Sequence, residues 1–466
     1  MSESAPTGVE GLDRAIGGGF PKGSLIILAG NPGTGKTTFG AEFLCGGWLR
    51  WGERGVHVSF AESAASLTSA LGDKFRRCCE DGGIRVLDLV SMKGEGTSAI
   101  LEAIMGEINS LGAKRLVVDS LNALAQPVGP EEVRTFLQVV FGKVVRQMGC
   151  TTILTSEVPL GSERVGLGIE EFVADGLILL RRGEIEGRLF RELEVVKLRG
   201  RRIDRHKMAF TLEGGFKALP PFAGDWGGER GAFEPLPDPE GMFSTGNEGL
   251  DAALGGGFRE GSFALLELDS DVPREAYNLV RLPIWLNFVA KGNRLLAIPD
   301  TSASARFYKS AVAGFIDDES FDENAKIVEL AREGPPEPYS LRLGGRSLST
   351  DLKALLGALR GLRGRGKRCA IYVGWDAVDR FYGEEGRRLL AFLIPEAKYN
   401  GDLLLGIVKP GTSFIEDLRR SADYHLKLSI PDGAPCLYGV KPRTGIYYFE
   451  RDGSKNYPKC LLTEIV

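Results

Sequence analysis

Eight consecutive residues, Gly30-Asn31-Pro32-Gly33-Thr34-Gly35-Lys36-Thr37, carry the densest chemistry in the chain. They fit the pattern GxxxxGK[ST], whose glycines let the backbone turn back so that successive N–H groups face a phosphate. In that pattern Lys36 reaches the outer phosphates, where it also acts on the transition state, and Thr37 ligates magnesium. The apolar run Ser24 to Ala29 before it reads as a buried parallel strand. Thr38 opens a segment to Arg50 whose helix N-terminus points at the same anion. Gly30 to Thr38 is therefore expected to hold a nucleoside triphosphate.

Three acids are candidates to work beside that loop. Glu62 follows the alternating strand Val56 to Phe60, where a carboxylate can orient or deprotonate an attacking water. Asp119 ends the apolar strand Arg115 to Val118 and can hold Mg2+ through water, as a Walker B acid does. Asp175 is a rival that fits a capping or structural role better, since it stands between a helix-like stretch, Glu170 to Ala174, and a strand. Thr155 and Ser156, at the polar end of Thr151 to Ser156, can sense a terminal phosphate or simply bond the loop.

Strands must carry these residues, with helices between them. Ile100, Ile104, Ile108 and Leu111 form one helical stripe, and Val133, Leu137, Val140, Phe141 and Val144 another; both are expected to be core. Alternating strands and helices imply an α/β fold with a parallel sheet covered on both faces, its chemistry at the carboxyl ends of the strands.

The start of the chain occurs twice. Thr7 to Ser24 and Thr245 to Ser262 are identical at 13 of 18 positions with a constant offset of 238, which is duplication. The Pro- and Gly-rich stretch 220–244 reads as a linker, giving a domain at 1–219 and another at 245–466. Basic and acidic residues balance within each domain, so the net charge of −4 sits in the acidic linker. Neither domain has the basic excess of a general nucleic-acid binder. Seven cysteines without Cys-x-x-Cys spacing and three scattered histidines suggest neither a metal site nor a disulfide framework. With no basic-then-apolar leader and no run of 18 apolar residues, a cytoplasmic protein without a membrane partner is expected.

The segments TGVEGLD, GGGFPKGS, GNPGTGKTT, VVDS, GIEEFVADGLILL and VVKLRG, in this order, resemble KaiC, a branch of the RecA and RadA ATPases. The resemblance covers nearly all of Thr7 to Leu212, and in the second half it is strong only around Thr245 to Ser262. It implies two tandem RecA-like P-loop domains, ATP with Mg2+, and a homo-oligomeric ring, such as a hexamer, with nucleotide between subunits. It also implies that Lys197 and Arg199 act on a neighbour's outer phosphate. Where KaiC has two adjacent glutamates this chain has Ala61-Glu62, so Glu62 stands alone as the general base and slow hydrolysis is expected.

The second half has lost its phosphate loop. Offset by 238, Asp269 to Glu275 replaces Asn31 to Thr37, with Pro273 for Gly35 and Glu275 for Thr37. Gly374 stands where the Walker B acid is expected, and Thr301-Ser302 near the position of Glu62. No autokinase activity is expected there. Lys441 and Arg443 nevertheless keep the spacing of Lys197 and Arg199, either as hairpin charges that serve solubility or as groups that serve a neighbouring intact site. The basic runs Arg360 to Arg368 and Arg199 to Lys207 read as solvated loops, though either can touch nucleic acid.

The leading reading is an ATPase whose first domain turns over Mg-ATP at a subunit interface and whose second is regulatory, driving a conformational or assembly switch, with a regulatory protein partner allowed. The alternatives are a nucleotide-gated scaffold with negligible turnover and a RadA-like recombination protein, the latter weakened because Glu157 to Gly168 is not basic.

Overall fold

The fold was analysed in a computed structural model, which describes residues 3–90, 97–122, 137, 147–159, 174–224, 229–300, 304–331, 337–364 and 366–466. The chain divides into two compact units, Met1–Pro221 with Ile465–Val466, and Phe222–Glu464. Among the described residues no helix is long and apolar enough to cross a membrane.

The first unit is built on a nine-stranded sheet. Its strands are β1 (Leu25–Gly30), β2 (Gly55–Ser59), β3 (Ile84–Asp88), β4 (Arg115–Asp119), β5 (Thr151–Glu157), β6 (Gly176–Ile185), β7 (Arg188–Leu198), β8 (Lys207–Thr211) and β9 (Lys217–Ala218). The order is β9-β8-β7-β6-β1-β5-β4-β2-β3. The strands from β6 through β1 to β3 pair in parallel, and β7, β8 and β9 are added antiparallel. β1 is buried at all six residues, because helices cover both faces of a parallel sheet. The stripe Ile100, Ile104, Ile108 and Leu111 faces the core, as does Leu137. Val133, Val140, Phe141 and Val144 of the second stripe lie outside the described residues.

A ten-stranded sheet forms the second unit. It comprises β10 (Phe263–Leu268), β11 (Arg294–Ile298), β12 (Ala325–Leu330), β13 (Ser340–Leu343), β14 (Cys369–Gly374), β15 (Leu403–Val408), β16 (Tyr424–Ser429), β17 (Cys436–Lys441), β18 (Ile446–Arg451) and β19 (Cys460–Glu464). The order β13-β12-β11-β14-β15-β10-β16-β17-β18-β19 repeats the first sheet's order, with one more parallel strand at one edge. The two units are thus tandem RecA-like α/β domains. Part of the Pro- and Gly-rich stretch between the repeats is packed rather than free. Phe233 is buried beside the ring of Tyr457, and the Leu236 N–H donates to Asn287 Oδ1 at 2.8 Å.

Strand register agrees with the alignment made from sequence. Leu25 lies opposite Thr152, which lies opposite Leu116, and at the offset of 238 Phe263 lies opposite Leu404, which lies opposite Ile371. Three residues on from Leu116 and from Ile371, Gly374 therefore takes the place of Asp119 and supplies no acid. Thr301 and Ser302 lie outside the described residues.

Candidate nucleotide-binding site

The phosphate loop leaves β1 at Gly30 and enters the helix Lys36–Trp51. Gly35 precedes that helix in the left-handed region with φ 95°, a conformation that favours glycine. Gly30 is required by space, since an added Cβ would lie 2.6 Å from the Leu180 carbonyl oxygen. Asn31 donates to the Val158 carbonyl at 2.8 Å and the Thr34 hydroxyl to the Asn31 carbonyl at 2.8 Å, so side chains brace the loop around Pro32 and Gly33. Lys36, Thr37 and Thr38 form the first helical turn, whose N–H groups include donors without intrahelical partners.

Lys36 is buried, and its Nζ donates to the carbonyls of Gly30 and Asn31 at 2.9 and 3.0 Å. Burial pushes its pKa down, opposed by the charges of Glu157 and Asp119. Its charge is held by carbonyl dipoles rather than by a carboxylate at ion-pair distance, which leaves it able to meet an anion. The Asp119 carboxylate lies at the end of β4 and accepts two hydrogen bonds, from Thr37 Oγ1 at 2.7 Å and from Thr155 Oγ1 at 2.6 Å. Thr37 and Asp119 thus place two hard oxygens side by side, the donor type Mg2+ takes with phosphate and water. No group of three or more His, Cys, Asp or Glu among the described residues is placed to hold a metal, so magnesium here would depend on the phosphates as co-ligands.

The structure brings Gly30 to Thr38 and Asp119 into one cluster and leaves Glu62 outside its hydrogen bonds. Glu62 is exposed, just past the end of β2, and its carboxylate accepts from the Ser66 hydroxyl at 3.2 Å. β2 is the direct neighbour of β4, with the Phe60 N–H bonded to the Asp119 carbonyl at 3.0 Å, so Glu62 rises from the correct end of the sheet. Asp175 has the structural role that its position suggested: its carboxylate accepts the Leu25 N–H at 3.0 Å and fixes the start of β1.

Lys197 and Arg199 lie at the other end. The Arg199 N–H bonds the Asp175 carbonyl, and the Asp175 N–H bonds Leu25 at the amino end of β1. A six-residue strand spans about 20 Å, so neither side chain reaches the phosphate loop of its own domain. Arg199 is exposed, whereas Lys197 is half-buried and donates to the Ala174 carbonyl at 2.8 Å. Lys441 does the same in the second unit, donating to the carbonyls of Arg419, Arg420 and Ala422 at 3.0 to 3.4 Å. Both lysines hold the chain that enters the next strand.

For Thr155 the sequence offered a phosphate sensor or a loop hydrogen-bonder, and its bond to Asp119 was not foreseen; Arg191 was missed altogether. It donates from Nη1 to the Gly33 carbonyl at 3.2 Å. A cation on an alternating strand gave no signal for that contact.

Comparison with known proteins agrees with this geometry. The family described as ATPase, KaiC matches residues 5–216, and that described as GvpD basic region 2 matches residues 232–333. A UPF0273 protein of Methanopyrus kandleri is 31% identical over 231 residues, 46% of this chain and 90% of that protein. The circadian clock oscillator protein KaiC of Thermostichus vulcanus is 31% identical over 276 residues, 56% of this chain but 51% of KaiC, so the alignment spans about half of that relative. Protein GvpD2 of Halobacterium salinarum is 28% identical over 475 residues, 95% of this chain and 94% of that protein. The crystal structure of a KaiC-like protein from Pyrococcus horikoshii aligns with a TM-score of 0.43 and 33% identity, over 47% of this chain and all of that one. A glycine-rich loop entering a helix, an acid beside its threonine and a relative 31% identical over nine-tenths of its own length converge on one conclusion: the chain belongs to the KaiC-like ATPase family.

Proposed function

We propose that the first unit binds Mg-ATP and hydrolyses it at an interface between subunits, and that the second unit converts the nucleotide state into a regulatory or assembly switch. The observation that carries the reading is the cluster of Lys36, Thr37, Asp119 and Thr155 around an intact phosphate loop. The loop and Lys36 would bind the triphosphate, Thr37 and Asp119 would hold magnesium, and Glu62 would orient water. Magnesium, when bound, supplies charge neutralisation at the outer phosphates.

The placement of Arg199 about a strand's length from its own loop supports a role on a neighbouring subunit. Lys197, tied to Ala174, is the positioning member of that pair. A ring or filament follows from this reading, since a cation that cannot reach its own site is of catalytic use only in trans. Similarity to GvpD2 runs through both units, which supports a function that uses the second unit as well as the first. Residues 232–333 contain nine basic and eighteen acidic side chains, which favours a protein partner over a nucleic acid.

Phosphate release by the wild-type chain, Lys36→Ala and Glu62→Gln tests the hydrolytic reading; equal background in all three overturns it. Mixing Lys36→Ala subunits with Arg199→Ala subunits tests the interface. Each supplies what the other lacks, so activity returns in mixed oligomers and stays absent if the arginine acts elsewhere. A second reading, a nucleotide-gated switch with negligible turnover, is favoured by one feature: Ala61 precedes Glu62, and Glu62 bonds Ser66 rather than the cluster. Tight ATP binding with no phosphate release selects it.

A further inference from the structure

We propose that Arg191 is a positioning residue of the phosphate loop, an inference that rests on the first unit's binding ATP. Arg191 sits on β7 and is 8% exposed. Its Nη1 donates to the carbonyl of Gly33, the crest of the loop, at 3.2 Å, and its Nε donates to a main-chain oxygen of Val466 within the same compact unit. The guanidinium lies 5.9 Å from the Phe210 ring centroid. Across the strand pair it faces Arg182, a like charge.

A buried guanidinium has several donors to place, and this one commits Nη1 to the Gly33 carbonyl, beside a loop expected to receive a triphosphate. Holding the Gly33 carbonyl fixes the peptide plane between Gly33 and Thr34, whose N–H donates to the Asn31 carbonyl at 3.4 Å, and so sets the shape of the loop. The charge polarises that peptide in the sense that favours an anion. Leu212 closes the same side of the loop, since a Cβ on Gly35 would come within 2.7 Å of its Cδ2. The loop is therefore shaped from outside by the antiparallel strands.

The second unit offers an internal control. Arg182 pairs with Arg191 four rungs from the pair Ile178 and Val195, and the fourth rung from the matching pair Leu426 and Gly439 of the second sheet falls just beyond Ser429 and Cys436. That position is Pro435, which has no cation to offer. The repeat that lost the phosphate loop lacks the arginine as well.

The test is nucleotide affinity, with a fluorescent ATP analogue and with ATP-dependent thermal stabilisation, in wild type, Arg191→Ala, Arg191→Lys and Lys36→Ala. Arg191→Ala is expected to weaken ATP binding about tenfold, the loss of a charge-assisted hydrogen bond, with KM rising in step and kcat within about twofold. Arg191→Lys, which keeps the charge and one donor, falls between, and millimolar guanidinium restores part of the affinity of Arg191→Ala. Affinity in Arg191→Ala and Arg191→Lys equal to wild type, with Lys36→Ala defective, overturns this proposal alone. Wild type binding no better than Lys36→Ala overturns the ATP reading and this one with it. If Arg191→Ala does not fold, Arg191→Lys decides by the same comparison: unchanged affinity overturns the proposal.

Discussion

The two sheets present the same strand order and opposite electrostatics at their carboxyl ends. In the first unit Lys36 is held by two backbone carbonyls, and Asp119 accepts from two threonine hydroxyls. Neither charge is spent on the other. In the second unit Lys409 stands between Asp300 at 3.5 Å and Asp376 at 3.4 Å, with the Tyr277 hydroxyl on Asp300 at 2.7 Å. Deeper in β10, Glu267 gathers Arg419, His425 and Lys427, where the first unit has Ala29 at the same offset. A site kept for a charged ligand leaves its own charges incompletely paired. The repeat without that loop has closed its charges on one another, because buried charge without a partner is costly.

Removing the central cation on each side tests this contrast most severely. Lys36→Ala should reduce ATP turnover to background and abolish ATP-dependent stabilisation, whereas Arg274→Ala, its counterpart by offset, should leave both unchanged. Phosphate release and a thermal shift titration measure this; an effect of Arg274→Ala on ATP affinity would break the comparison.

Next in size is the group proposed to act in trans. Arg199→Ala should lower turnover about 10³-fold in the oligomer while ATP affinity stays within twofold of wild type. Lys197→Ala should cost less, since its amine is engaged by Ala174. Equal losses in the two variants would return Lys197 to the catalytic role.

The closed cluster of the second unit should matter to stability alone. Burial would raise the pKa of Glu267, but His425, Arg419 and Lys427 draw it down to about 2. A carboxylate with a depressed folded pKa contributes stability fully above the unfolded value near 4.5, and that stability is lost as pH falls toward 2. Glu267→Gln should cost about 3 kcal/mol at neutral pH and flatten the acid limb between those values, read by urea unfolding, with ATP turnover intact.

Smallest is Lys441→Ala, expected to cost about 1 kcal/mol through the carbonyls at the end of the helix Ile415–Ser421. If Lys441 serves a neighbour's site instead, the variant should lower turnover without changing the unfolding midpoint.

How far these sites were legible depends on sequence distance. Gly30 to Thr38 is contiguous, so its spacing alone specifies a turn, a lysine and a helix N-terminus. Asp119 was legible because an apolar strand ending in an acid is a local pattern. Thr155 over Asp119, Arg191 on Gly33 and Lys409 between two aspartates each join residues 33 or more positions apart. Local patterning carries no signal for such contacts. The cations at Lys441 and Arg443 looked like a preserved finger, yet the Lys441 amine is engaged by carbonyls of its own unit.

By itself the sequence determined that the chain is a duplicated P-loop protein with one phosphate loop lost, since these properties reside in contiguous residues and in an offset that can be counted. Only the tertiary structure decided which side chains complete the surviving site and which neutralise the other. Strand order and register choose the neighbours of each side chain, and they bring Thr155 to Asp119 and Arg191 to the phosphate loop across long stretches of chain.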